Sequence, residues 1–166
     1  MPTVLNSDDR DLLIAEYERG PSLLSAAWES APEAAAKWRP APEKWSAHEI
    51  VVHCADSETH AASRIRLLAA EKEPLILGYD QDAWATVFDY HSQSTDRALR
   101  SVEAVRAGTV PILRHLSEAS WAKIGRHTES GPYGALDWLR TYAVHLTNHA
   151  RQIERNLEAF RSRADR

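Results

Sequence analysis

The chain has 166 residues, 43% of them hydrophobic and 27% charged, which is the size and balance of one domain with a single sizeable core. Its formal net charge is −4 with neutral histidines, and acidic and basic residues are mixed along its length, which argues against a nucleic-acid partner. One cysteine, Cys54, excludes an intrachain disulfide and any cysteine-based zinc motif.

The N-terminus, MPTVLNSDDR, lacks the apolar core of a signal peptide, and no apolar run approaches the ~18 residues of a membrane helix. A cytoplasmic address with no membrane partner is expected. The arginine-rich tail RSRADR is short and reads as solvated.

A first helical segment is expected over residues 8 to 30, with Leu13, Tyr17, Leu24 and Trp28 inward. Gly20-Pro21 falls in its middle and is expected to kink or divide it. The stretch WRPAPEKW follows, a proline-fixed loop packed by Trp38 and Trp45. The second segment opens on SAHE, a capping box in which the Ser46 hydroxyl accepts from the Glu49 amide while Glu49 reaches back. Its seam runs Ile50, Cys54, Ser57, Ala61, Ile65 and Leu68, and Pro74 stops it.

The third segment, about residues 82 to 118, carries Trp84, Phe88, Ala98, Val102, Val105, Ile112 and Leu116, with bends expected at Gly108 and Pro111. SGPYG then supplies a break. In the fourth segment Leu136, Leu139, Ala143, Leu146, Ala150, Ile153, Leu157 and Phe160 recur at alternating three- and four-residue steps, an apolar seam on one helix face. No segment alternates with period two, so no sheet is expected. Four segments of about 20 to 35 residues joined by loops predict an all-α four-helix bundle, a single domain over residues 1–166.

Histidines flank two of these seams. On the fourth segment His145 and His149 stand four apart, the spacing that lets two imidazoles meet one metal ion, in a stripe with Trp138, Tyr142, Gln152 and Asn156. A polar stripe with no ligand role is the competing reading. On the second, His53 lies one step from Cys54, and His60 follows two turns along the same face. Three neutral imidazoles from two helices leave a coordination position open, as in a catalytic site. Spacing alone leaves the third ligand open between His53 and His60. The pair reads HLTNH and not H-E-x-x-H, which disfavours a zincin-type peptidase.

EKWSAHEIVVHCADSE, followed by Arg64, resembles the W-S-x-x-E-(I/V)-x-x-H-(L)-x-D-x-E pattern of the DinB/YfiT-like superfamily, and HTESGPYGALDWLRTYAVHLTNHARQI is similar to that family's later H-x-x-x-H-x-x-Q-I segment. The resemblance spans nearly the whole chain. It implies a four-helix bundle, often a homodimer, that binds a divalent metal through three histidines, which by motif position are His53, His145 and His149. It also implies that His60 is not a ligand. Cys54 stands where leucine is common, and GPYG replaces the usual Thr-Leu.

Characterised relatives of that family are S-transferases or isomerases that use bacillithiol, mycothiol or glutathione. The expected cofactor is therefore a divalent ion, zinc or nickel first, with iron, cobalt or manganese as alternatives, together with a low-molecular-weight thiol co-substrate. Three neutral ligands leave the ion its full charge, and a thiol of pKa ~8.5 needs less help than water to ionise at neutral pH. The expected function is thus transfer of a small thiol to a small electrophile. A metal-dependent hydrolase using hydroxide, and a non-enzymatic metal-binding stress-response protein, are the alternatives.

Gln152 and Asp56 are candidates for orienting ligands or substrate, beside the reading that both are helix-surface groups. His60 and Arg64 either meet a thiol carboxylate at the pocket mouth or form a solvated face. His91 is expected in register with the third seam as a satisfied core histidine, and Cys54 as a small apolar core side chain. Trp84, Trp138 and Tyr142 either line an electrophile pocket or pack the bundle. His48 and His127 receive no role.

Overall fold

The computed structural model describes residues 7–163; residues 1–6 and the last three of the arginine-rich tail, to which some of the readings above apply, lie outside them. Helix α1 covers Ser7–Glu29, the single turn α2 Glu33–Ala36, and α3 Ala47–Ala70. Strand β1 (Leu75–Ile76) and α4 (Gln81–Val87) follow, then a 3₁₀ turn at Tyr90–Ser92 and α5 (Thr95–His115). After the turn α6 (Glu118–Trp121) come β2 (Ile124–His127), β3 (Gly131–Gly134), α7 (Ala135–Ala143) and α8 (His145–Ser162). The architecture is the expected four-helix bundle, made of α1, α3, α5 and the α7–α8 pair, with α1 and α3 each packed against the other elements.

The capping box is present in full: the Glu49 amide donates to the Ser46 hydroxyl at 3.2 Å, and the Ser46 amide to the Glu49 carboxylate at 2.9 Å. It starts α3 at the point the sequence marks, because two otherwise orphaned amides are satisfied together.

Four expectations are corrected. A three-stranded sheet exists, ordered β1-β2-β3, with β1 parallel to β2 and β2 antiparallel to β3. Its strands are two to four residues long, too short to write a period of two into the sequence. GPYG, read as a break, is β3 itself. The third segment is not one helix: α4 ends at Val87, and Asp89 at φ 41° turns the chain into the 3₁₀ turn before Ser94 caps α5. The fourth segment is interrupted at Val144, so α7 and α8 are separate helices.

Gly20-Pro21 does not divide α1, which runs through it. The reason lies on α5. A proline at position 21 has no amide to give the Tyr17 carbonyl four residues back, and the buried Arg106 guanidinium donates to that carbonyl instead. Gly20 makes room for it: a Cβ there would stand 2.5 Å from Arg106 Nη1 and 3.0 Å from Leu146 Cβ.

The bundle has two apolar clusters along its length. One holds Leu24, Ile50, Val51, Val102, Leu146, Ile153 and Leu157; the other Ile14, Tyr17, Ile65, Leu68, Leu113, Trp138 and Leu139. Between them each helix changes character at the same level, with Gly20 on α1, Ser57 and Glu58 on α3, Arg106 on α5, and His145 at the start of α8. This buried polar layer positions the candidate site. Among the described residues no helix is long and apolar enough to cross a membrane.

Candidate metal centre

The three expected ligands meet. His53, His145 and His149 each offer one ring nitrogen, and the three atoms lie within 4.8 Å of one another. His53 comes from the buried face of α3, at 1% exposure, against the Trp45 ring at 4.6 Å between centroids. The other two come from the first turns of α8. Their rings are 4.6 Å apart, with His149 4.9 Å and His145 5.7 Å from His53.

Two of the rings are oriented by side-chain oxygens that accept from them. His145 Nδ1 lies 2.8 Å from Glu58 Oε1, and His149 Nδ1 lies 2.9 Å from Gln152 Oε1. Each Nδ1 therefore carries the proton, and each Nε2 keeps its lone pair for the cluster. The Ser57 hydroxyl lies 3.4 Å from His145 Nε2. His53 Nδ1 is buried with no hydrogen-bond partner at all. An unpaired buried imidazole nitrogen is costly in a protein interior, so His53, unlike the other two, is held by packing and not by a hydrogen bond to its ring.

The electrostatics keep the cluster neutral. Burial pushes His53 down to about 2, helped by the adjacent His149 and His145. Burial and His145 push His149 down to about 4, against a hydrogen bond to Gln152 that opposes the shift. Neutral imidazole is the form that binds metal, so burial prepares the donors.

Glu58 and Arg106 complete the arrangement. Burial alone would raise the Glu58 carboxyl, but its hydrogen bond from His145 and the charge of Arg106 outweigh burial and hold it below its ordinary range. The pair is fully buried: Arg106 Nη2 and Nε reach the two Glu58 oxygens at 2.7 and 2.9 Å, and Nη2 also donates to the Tyr142 carbonyl at 2.9 Å. That last contact falls beside the Val144 interruption, so one guanidinium serves a proline-freed carbonyl in α1, a carboxylate in α3 and a carbonyl at the α7–α8 break. The break places His145 at the first position of α8 with its ring on Glu58.

Sequence reasoning did not assign these two residues a role. Glu58 closes the family pattern and stands one step beyond the seam residue Ser57, which is a usable signal. Arg106 has none, since it looks like any charge on a long amphipathic helix.

The remaining candidates divide. Gln152 orients His149, one of its two expected roles. Asp56 accepts from the Tyr90 hydroxyl at 2.6 Å and so ties α3 to the 3₁₀ turn, away from the donor atoms. His91 is on that turn and not on a helical seam, a correction that follows from the break after α4; it is half-buried, 2.8 Å from the Ser46 hydroxyl. His48 meets the Gln93 carbonyl at 2.9 Å. Cys54 is fully buried in the first apolar cluster, where burial pushes its thiol well above its ordinary value. Trp138 is core, its indole donating to the Ala61 carbonyl at 2.9 Å. Tyr142 packs on His145 at 5.4 Å. His60 stacks on Tyr79, with the Trp84 ring tilted against it, and stands outside the donor cluster. Beside His149 lies an open depression of about 440 Å³, lined in part by Glu43, Lys44, Trp45, Gln81, Asp82 and Gln152.

Fold and donor set together define a four-helix bundle with a three-histidine cluster able to hold a divalent metal ion. The profile of the DinB superfamily matches residues 16–153, and the chain belongs to that family. It is similar to a protein of Oceanobacillus iheyensis provisionally named a metal-dependent hydrolase, 30% identical over 109 residues that make up 66% of this chain and 63% of the relative. A Bacillus licheniformis protein with the same provisional name is 26% identical over 153 residues, covering 90% of this chain and 87% of that one.

Among solved structures, Bacillus subtilis YfiT, described as having an unusual four-helix bundle topology, superposes with a TM-score of 0.87 at 21% identity, over 94% of this chain and 90% of YfiT. A mycothiol-dependent maleylpyruvate isomerase superposes with a TM-score of 0.69 at 13% identity, over 87% of this chain and 60% of the isomerase. At these identities the likeness is one of fold.

Proposed function

We propose that this protein is a divalent-metal-dependent enzyme that ionises a low-molecular-weight thiol for attack on a small electrophile. The observation that carries the reading is the donor set: three neutral imidazoles converge, two with Nδ1–H already committed to Glu58 and Gln152. Such a set suits zinc or nickel, and also cobalt, iron or manganese. A bound divalent ion there would supply positive charge that lowers the pKa of an incoming thiol.

The protein's own residues do the rest. His53, His145 and His149 hold the ion, Glu58 raises the donor strength of His145, and Gln152 fixes the plane of His149. Glu58 is locked to Arg106 and His145 and is not free to take a substrate proton. The lack of a committed carboxylate base favours a thiol, which ionises more readily than water, as the nucleophile.

Hydrolysis is the second reading. It is favoured by Glu43 and Asp82, carboxylates that line the depression beside His149, and it agrees with the provisional names of the relatives. Both readings require about one metal per chain, lost in a His145→Ala variant, measured by mass spectrometry on protein made without a histidine tag. On the loaded protein, turnover of electrophiles only with added thiol supports transfer. Turnover of an ester or amide panel without thiol overturns it in favour of hydrolysis.

A further inference from the structure

A second polar recess adjoins the histidine cluster. It is a hollow of about 250 Å³ lined in part by Arg64, Tyr79, Tyr142, Tyr133, His127 and Glu129. Two of its polar atoms are buried: Arg64 Nε has no hydrogen-bond partner, and the Tyr79 oxygen has only the Ser57 hydroxyl near it, as a donor to it, which leaves the phenol's own O–H to be donated. The other Arg64 nitrogens are spent on neutral oxygens only, the Leu77 carbonyl and, at 3.3 Å, the Tyr142 hydroxyl. The guanidinium lies 5.7 Å from the Tyr79 ring centre, which helps to hold it in place. Glu129 stands at the rim with its carboxylate over Gly78 and makes no ion pair with Arg64.

The recess communicates with the donor cluster. The Tyr142 ring contacts His145, and Ser57, 3.4 Å from His145 Nε2, faces the phenols of both Tyr79 and Tyr142. Gln81 lines both this recess and the depression beside His149. Burial raises Tyr79, so its hydroxyl keeps its proton and stays a donor.

We propose that this recess binds the carboxylate of a small substrate, with Arg64 Nε and the Tyr79 hydroxyl as the donors. A planar guanidinium with an unsatisfied N–H beside a phenol O–H is matched to a carboxylate, and an unmet guanidinium N–H in a half-buried recess is costly until such a group arrives. The proposal rests on the small-molecule reading above and specifies its substrate: one whose reacting end reaches the histidines while its carboxylate reaches Arg64. The carboxylate belongs either to the thiol or to the electrophile.

Calorimetric titration of the full chain tests it, using L-cysteine against cysteine methyl ester, and succinate against dimethyl succinate. The expected result is binding of at least one acid about tenfold or more tighter than its ester. Arg64→Gln should abolish that preference and Tyr79→Phe should reduce it, each variant keeping its helical circular dichroism. Preference for cysteine assigns the carboxylate to the thiol; preference confined to succinate assigns it to the electrophile. Equal binding of both acids and their esters, or a preference unchanged in folded Arg64→Gln and Tyr79→Phe, overturns the proposal. Metal content and thiol-dependent turnover on the same preparations separate the two readings. Arg64-dependent acid binding without turnover removes only the proposed function, and turnover without acid preference removes only the recess.

Discussion

The two apolar clusters and the polar layer between them are built on different rules. In the clusters, residues such as Leu24, Ile65, Leu68 and Leu157 are held by burial, and neighbours of similar volume would serve nearly as well. In the layer, each residue presupposes the others. Pro21 frees the Tyr17 carbonyl, Gly20 leaves space, Arg106 fills both, Glu58 balances Arg106, and His145 hangs from Glu58. The clusters supply stability without specificity of chemistry. The layer spends stability on holding one imidazole in one orientation.

Breaking the layer should cost most. Glu58→Ala would leave Arg106 charged, buried and unpaired, and is expected to destabilise the protein by about 3–5 kcal/mol in urea unfolding. Glu58→Gln keeps the shape and should cost less stability, yet weaken metal binding by about 10–100-fold in a competition titration, because His145 loses its carboxylate acceptor. In the clusters, Leu24→Ala or Leu68→Ala should cost about 2–5 kcal/mol and leave metal affinity unchanged. A cluster variant that lost metal as severely as Glu58→Gln would dissolve the distinction between the two regions.

Gly20→Ala sharpens it further. The added methyl presses on Arg106 and should cost about 1–3 kcal/mol, more than expected for an alanine that favours the helix on propensity alone. Asp56→Asn, at a half-buried position of α3, should cost about 1 kcal/mol through its bond to Tyr90 and leave metal uptake intact.

The pH response is a property of the cluster residues His53 and His149, whose protonation is disfavoured when folded. Their folded pKa values lie below the ordinary 6.5, so the unfolded chain binds more protons in between and stability rises with pH there. Metal-free protein should therefore hold its full share of this stability above about 6.5 and lose it as pH falls, the His149 part by about 4 and the His53 part on towards about 2, followed by melting temperature across that window. His149→Asn should flatten part of the slope. Metal affinity should fall over the same range, since protons compete for the donors.

Much of the site was legible. The histidine spacing on one helix face brought His145 and His149 together, because four residues is close to one turn, and the family pattern singled out His53 over His60. The short sheet was not legible, since its strands are only two and four residues long, too short to show a period of two, and β1 meets its partner β2 about fifty residues further along the chain. Nor was the break at Val144, where the seam of Leu139, Ala143 and Leu146 continues across the interruption and disguises it.

What the sequence by itself determined is whatever local spacing can encode: the helical period, the Ser46–Glu49 cap that starts α3, and the face on which each histidine stands. The tertiary structure alone decided what Gly20-Pro21 is for. Taken locally the pair is a helix breaker, and only the arrival of Arg106 from a helix some 86 residues later turns a missing amide and a missing side chain into a socket. A guanidinium has enough donors to satisfy three distant elements at once, and no window of sequence contains all three.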